Sequence, residues 1–192
     1  MNRTDDNAGP RDEGRGEEGG RVRLVAPHAR HAPLWQRWRS EPATQRFNPL
    51  HPLSVEALAE RLKYHCAADL GDRSRYEFRW MVARGDEIIG TVSVSNVSWG
   101  MGYAEIGYML AASHHGQGLG TRAVSLLVDK LFGETDLQRL YALVAAENTP
   151  SCRLLERLGF AREGLMREHY VIQGARVDEV VYGLLRREWS AR

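Results

Sequence analysis

Cysteine is nearly missing from this chain: Cys66 and Cys152 are the two present in 192 residues. That is too few for a disulfide framework or an all-cysteine metal site, so each is expected to be a small, buried, reduced side chain. No apolar run approaches the ~20 residues that a membrane span requires, and residues 1–20 lack the apolar core of a secretory signal. These absences predict a cytoplasmic protein with no membrane partner. An excess of one charge is missing too, since 26 basic and 25 acidic residues leave +1 at pH 7, so a polyanion such as nucleic acid is not the expected partner. There is no internal repeat of roughly 20 to 50 residues to build a solenoid.

What is present suits one packed domain with a tail: 43% of the residues are hydrophobic and 27% charged, close to the globular average. Residues 1–20 carry Gly9, Gly14, Gly16, Gly19 and Gly20 among acids and arginines and have almost nothing to bury, which predicts a disordered tail ahead of a domain at 21–192. Period-2 alternation from Arg21 to Val25 predicts a first strand. Helical spacing then puts Leu34, Trp35 and Trp38 on one face of residues 29–39, and Ser54 caps a second run with Val55, Leu58, Ala59 and Leu62. Strands are expected over 78–83, 87–97 and 103–110, the first two joined by Arg84-Gly85-Asp86, so that the middle of the chain is an antiparallel meander. Gly118 to Phe132 reads as a helix with Ala123, Val124, Leu127, Val128 and Leu131 inward. A strand at 139–145, a helix at 151–158 stopped by Gly159, and strands at 160–167 and 176–185 complete an α+β, mixed α/β pattern.

The most informative segment is His114-His115-Gly116-Gln117-Gly118-Leu119-Gly120-Thr121, between an apolar strand and an amphipathic helix. Glycines let the backbone approach a ligand, and the free N–H groups of a helix start converge on an anion such as a pyrophosphate. Gly120 is followed by Thr121-Arg122 where a Walker loop needs Lys and then Ser or Thr, which argues against a nucleotide triphosphatase. Gly116, Gly118 and Gly120 are spaced G-x-G-x-G rather than G-x-G-x-x-G. Asp136 stands about where a ribose-binding acid would be, but the preceding meander is the wrong topology for a dinucleotide fold. A loop that merely turns is the remaining alternative.

The run His115 to Thr121 resembles the acetyl-CoA pyrophosphate loop of the GNAT N-acetyltransferases, written Arg/Gln-x-x-Gly-x-Gly/Ala, with His115 in the place of the usual Arg or Gln. Tyr103-Ala104-Glu105-Ile106-Gly107-Tyr108-Met109-Leu110 looks like that family's central strand. The segment from Asn148 through Ser151, Leu154, Glu156 and Gly159-Phe160 is similar to its Asn-x-x-Ser-x-x-Leu-x-Glu-x-x-Gly-Phe pattern. The ending from Gly174 to Leu185 with Glu188-Trp189 resembles the RimJ/RimL branch, which acetylates ribosomal-protein N-termini. The resemblance implies a mostly antiparallel central sheet flanked by helices and splayed between the strands at 103–110 and 139–145, with acetyl-CoA as co-substrate in the splay. Backbone groups around Met109 and Leu110 would then hold the acetyl carbonyl. His115, Gly116, Gln117, Gly118, Leu119, Gly120 and Thr121 would cradle the pyrophosphate, and Asn148 would bond to the pantetheine arm.

Direct transfer to an amine asks for a base at the attacking nitrogen and a donor to the departing thiolate. By the same resemblance Ser151 would sit near the sulfur as that donor, although a residue at this point also suits a helix start. Glu105 and Glu168 are the candidate bases, beside the alternatives of a water chain, His114, His115 or His169; the histidine spacing does not suggest a metal site. Trp35, Trp38, Arg46, Phe47 and Asn48 lie in the region that forms one acceptor wall in similar enzymes, and Trp99 and Tyr170 flank loops. Two tryptophans at helical spacing are more often core than ligand platform. The expected activity is acetyl transfer from acetyl-CoA to a protein N-terminus or small amine; the alternative is a non-catalytic acyl-CoA sensor. Apolar strands near the C-terminus permit a homodimer.

Overall fold

The computed structural model describes residues 20–48, 50–66 and 69–190. The expected tail at 1–20 lies outside these apart from Gly20, which sits in a turn. Strands β1 (Val22–Val25), β2 (Phe78–Arg84), β3 (Glu87–Ser98), β4 (Tyr103–Leu110), β5 (Arg139–Ala145), β6 (Ala161–Ile172) and β7 (Ala175–Leu185) form one sheet among the described residues, in the order β1-β2-β3-β4-β5-β7-β6. Helices α1 (Ala32–Ser40), α2 (Pro42–Gln45) and α3 (Val55–Cys66) fall between β1 and β2. Helices α4 (Leu119–Glu134) and α5 (Thr149–Arg157) flank β5, and α6 (Arg186–Trp189) follows β7.

Alternation along the strands divides the core between the two faces of the sheet. On one face α4 buries Ala123, Val124, Leu127, Val128 and Leu131 against Ala104, Ile106, Leu140, Val180, Tyr182 and Leu184. On the other, Trp35, Trp38, Leu58 and Leu62 of α1 and α3 pack on Met81, with Met109 at the margin. Trp35 and Trp38 are 3% and 1% exposed, so both are core. The Arg186 guanidinium donates to the carbonyls of Phe132, Thr135 and Leu137, closing the C-terminal end of α4 with a cation where the helix dipole favours one.

All but one of the neighbouring strand pairs are antiparallel. The exception, β4 with β5, decides where the site lies. The two strands run parallel and pair only over Tyr103↔Arg139, Ala104↔Leu140 and Glu105↔Tyr141. Beyond that point β4 stays paired with β3 as far as Leu110, and β5 with β7 as far as Ala145↔Glu179, so a wedge opens within the sheet.

Several expectations need correction. Helix α5 starts at Thr149 rather than Ser151, because Asn148 is the N-cap and Pro150 occupies the first turn. Strand β6 continues to Ile172 instead of stopping at Arg167; its register against β7 shifts between Met166 and Tyr170, and Glu168 lies inside it at φ 50°. A bulge breaks the period-2 pattern, so the alternation stops before the strand does. Cys66 and Cys152 are free but half-buried rather than buried, at the C-terminal end of α3 and near the start of α5.

Buried histidines make this fold acid-sensitive. His65 is 6% exposed, and burial lowers its pKa from 6.5 to about 4. His31 is lowered mainly by burial as well, and its Nδ1 accepts the His28 N–H at 3.1 Å, a bond that only the neutral ring can make. Between those pKa values the unfolded chain holds a proton that the folded chain refuses, so stability falls as pH drops from 6.5 toward 4. Urea unfolding at about pH 7 and about pH 4.5 should show a loss of about 2 kcal/mol attributable to His65, and His65→Leu should flatten that part of the profile.

Candidate active site

The wedge between β4 and β5 opens into a cleft of about 790 Å³, a volume within the range of small-molecule sites. Its floor is the end of β4. The Ala111 N–H donates to the Ile89 carbonyl, and the antiparallel ladder alternates, so the Met109 N–H faces β3 while the Leu110 N–H points into the wedge. Of the two residues expected to supply a carbonyl-binding N–H, Leu110 is the one free to do so.

The second wall is the start of α4. Gly116 and Gly118 have φ of 74° and 75°, a left-handed conformation that costs L residues with a Cβ, and nothing lies within 4 Å of where a Cβ would stand on either. Gly118 caps α4, and the first helical hydrogen bond across it runs from the Arg122 N–H to the Gly118 carbonyl. The N–H groups of Leu119, Gly120 and Thr121 therefore remain for a ligand, in a first turn that contains no acid.

Two loop side chains do other work. His115 Nε2 donates to the Leu110 carbonyl at 3.0 Å, tying the loop to the end of β4. Gln117 donates to the Ser113 carbonyl and accepts from Arg84, which turns it out of the cleft.

The third wall is the start of α5. Asn148 Oδ1 accepts the Ser151 N–H at 3.3 Å, so the asparagine serves as the helix cap. Ser151 Oγ lies 2.5 Å from the Tyr108 hydroxyl, a side chain whose pKa burial pushes up to about 12. Thr149, Arg153 and Arg157, four residues apart, put one stripe of α5 along the cleft, and neither guanidinium has a partner among the described residues.

The fourth wall comes from the N-terminal helices, as expected for Arg46, Phe47 and Asn48, with the Arg46 guanidinium 4.9 Å over the Phe47 ring. Glu41 Oε2 accepts the Ala112 N–H at 2.8 Å, which clips this wall to the end of β4. Trp99 is not part of it: its indole N–H donates to the Arg75 carbonyl and Arg73 covers its ring at 4.3 Å. Tyr170 lies on β6 opposite Val177, away from the cleft. Asp136 is bonded to Arg73 rather than placed near the loop.

The cleft thus gathers Met109, Leu110, His115, Gly116, Gly118, Leu119, Gly120, Thr121, Asn148 and Ser151. It does not gather the two carboxylates. Glu105 alternates with Ile106 onto the Met109 face of β4, where Asn96 Nδ2 donates to it at 2.7 Å. Glu168 is exposed in the β6 bulge, with its N–H on Asp178 and its carbonyl on Arg176. His169 pairs with Glu179 at 2.6 Å, and Glu179 stands opposite Ala145, at the open end of β5. Among the described residues no three His, Cys, Asp or Glu side chains gather as a metal site, and no helix is long and apolar enough to cross a membrane.

Tyr108, Arg153 and Arg157 were missed from the sequence. The arginines had a signal in their four-residue spacing on a helix that was already placed beside the ligand.

A family model described as an acetyltransferase (GNAT) domain matches residues 21–161. The chain belongs to the GNAT acetyltransferase family. An uncharacterised N-acetyltransferase of Bacillus licheniformis is 34% identical over 160 residues, covering 82% of this GNAT chain and 88% of the relative. The ribosomal-protein-serine acetyltransferase of Escherichia coli is 30% identical, with 56% of this chain and 60% of that one aligned. Among solved structures, Mycobacterium smegmatis RimJ in complex with a CoA disulfide matches with a TM-score of 0.78 at 27% identity, over 89% of this chain and 85% of that one. A Vibrio cholerae spermidine N-acetyltransferase chimera shares the fold, with a TM-score of 0.77 at 24% identity over 89% of this chain and 99% of that one.

Proposed function

We propose that this GNAT protein moves an acetyl group from acetyl-CoA directly to a primary amine, either a protein N-terminus or a small-molecule amine, with no acetyl-enzyme. The reading is carried by one observation: the Leu110 N–H, the open start of α4 and Ser151 share a single cleft at the splay. The N–H groups of Leu119, Gly120 and Thr121 take the pyrophosphate, with Arg153 and Arg157 adding positive charge along the same wall. The Leu110 N–H meets the acetyl oxygen and stabilises the negative charge that grows on it as the amine attacks. Ser151 donates a hydrogen bond to the sulfur as the C–S bond breaks. Ser151 is no nucleophile in this scheme, because its hydroxyl neighbour Tyr108, with a pKa of about 12, is no base. We assign removal of the ammonium proton to the opposite face of β4, with Glu105, which lies outside the cleft lining, as the base acting through water. Glu168, exposed at its bulge, receives no part.

The branch within the family and the acceptor are read together. RimJ and a spermidine acetyltransferase match this fold about equally well, so both acceptor classes belong in the test. Thiol release from acetyl-CoA should depend on added acceptor when spermidine and a serine-initial peptide are compared, with intersecting double-reciprocal lines. Parallel lines with a thiol burst in the absence of acceptor would overturn direct transfer. CoA binding without turnover on any amine would favour the sensor reading.

A further inference from the structure

Within the cleft the Tyr108 hydroxyl is bonded to a side chain of the proposed machinery, Ser151. It sits on β4, partly buried against the apolar contacts of α4, and its hydroxyl reaches Ser151 Oγ at 2.5 Å, across 43 residues of sequence. Of the two hydroxyls the phenol is the more acidic and so the better donor, and the aliphatic serine oxygen is the better acceptor. Among the described residues Ser151 is the one hydrogen-bond partner of the Tyr108 hydroxyl. With the bond donated from Tyr108 to Ser151, the phenol is satisfied and the serine proton is left for the cleft.

We propose that Tyr108 is a positioning residue: its O–H donates to Ser151 Oγ and so fixes the serine O–H toward the thioester sulfur. The inference rests on the reading of Ser151 as donor to the leaving thiolate, and it adds the group that gives this donor its direction. No proton is transferred in the arrangement. The amine nitrogen forms the new N–C bond, the C–S bond breaks with its electron pair going to sulfur, and the thiolate is met by a hydrogen bond from Ser151. The Tyr108 bond polarises the serine hydroxyl and strengthens that donation. Tyr108 stays protonated throughout, in keeping with the direction in which burial moves its pKa.

The test needs no acceptor. A hydrogen bond to the thiolate lowers the pKa of bound CoA's own thiol, which can be titrated through the ultraviolet absorbance of the thiolate. His114, His115, Arg153 and Arg157 also line the cleft and influence this value, but they are common to all the proteins compared. Ser151→Ala should raise the bound thiol pKa by about one pH unit and Tyr108→Phe by about half of that. The double variant should titrate with Ser151→Ala alone. Tyr108→Phe keeps the packed ring, and Tyr108→Met serves as a second hydroxyl-free variant if thermal melting shows the first to be damaged.

If Tyr108→Phe has no effect, or adds a further shift when Ser151 is already alanine, the positioning role is wrong while the serine reading stands. If Ser151→Ala itself leaves the thiol unmoved, the serine reading falls and takes this inference with it. Failure of the wild type to bind CoA would overturn both, along with the assignment of the cleft.

Discussion

Replacing Ser151 by alanine is expected to lower kcat by about 10²-fold while KM for acetyl-CoA stays within a factor of about two. In the proposed arrangement the hydroxyl takes no part in pyrophosphate binding, which is assigned to the start of α4, so ground-state affinity has little reason to change. Its interaction strengthens as charge accumulates on sulfur, and an interaction made chiefly in the transition state appears in kcat. Local structure should survive, because the cap on α5 is made by Asn148 with the backbone N–H of residue 151, a bond that alanine keeps. Steady-state kinetics on an acceptor that turns over would check this. A rise in KM with unchanged kcat would place Ser151 in binding instead of in the chemistry.

Gly118→Asp is expected to weaken acetyl-CoA binding by roughly 10²-fold, about 3 kcal/mol, without unfolding the protein. Gly118 holds φ 75°, and aspartate is among the few non-glycine residues that tolerate this region. Nothing stands within 4 Å of the new Cβ, so the fold has room for it. The carboxylate would occupy the open side of the helix start, compete for its free N–H groups and repel the incoming pyrophosphate. Gly118→Asn, similar in shape but neutral, should lose much less, since only the charge is removed. Calorimetry with CoA and a melting curve separate the two effects. Equal losses for Asp and Asn would mean that shape rather than charge controls the loop.

The backbone frame of the site was largely legible in the sequence. Period-2 alternation marked β1, apolar runs bounded by glycine turns marked β2, β3 and β4, helical spacing marked the inner face of α4, and the glycines at 116 and 118 marked a sharp turn before it. These features are local: they depend on residues a few positions apart and on the conformational freedom of single glycines. The same locality explains the misreading of β6. Its edge position leaves Leu165 and Val171 exposed, and the bulge around Glu168 erases the two-residue period, so nothing in that stretch reads as a continuing strand.

Roles that depend on a partner far along the chain were not legible. Alternation put Glu105 on the face away from Ile106, but only the packed sheet shows Asn96 bonded to its carboxylate and the cleft opening elsewhere. Trp99, which reads as a loop aromatic, is occupied by Arg73 and the Arg75 carbonyl, and half-buried Cys152 could not be told from a core cysteine.

By itself, then, the sequence determined the order and type of the elements around the site, the glycine turn ahead of α4 and the family to which the chain belongs, because each is written in short-range pattern. The tertiary structure decided that β4 and β5 part after Glu105, that the Leu110 N–H is the one turned into the gap, and that Tyr108 reaches Ser151 across it. Those depend on strand register and on the closure of α5 against the sheet, which bring side chains together without leaving any spacing in the chain to announce them.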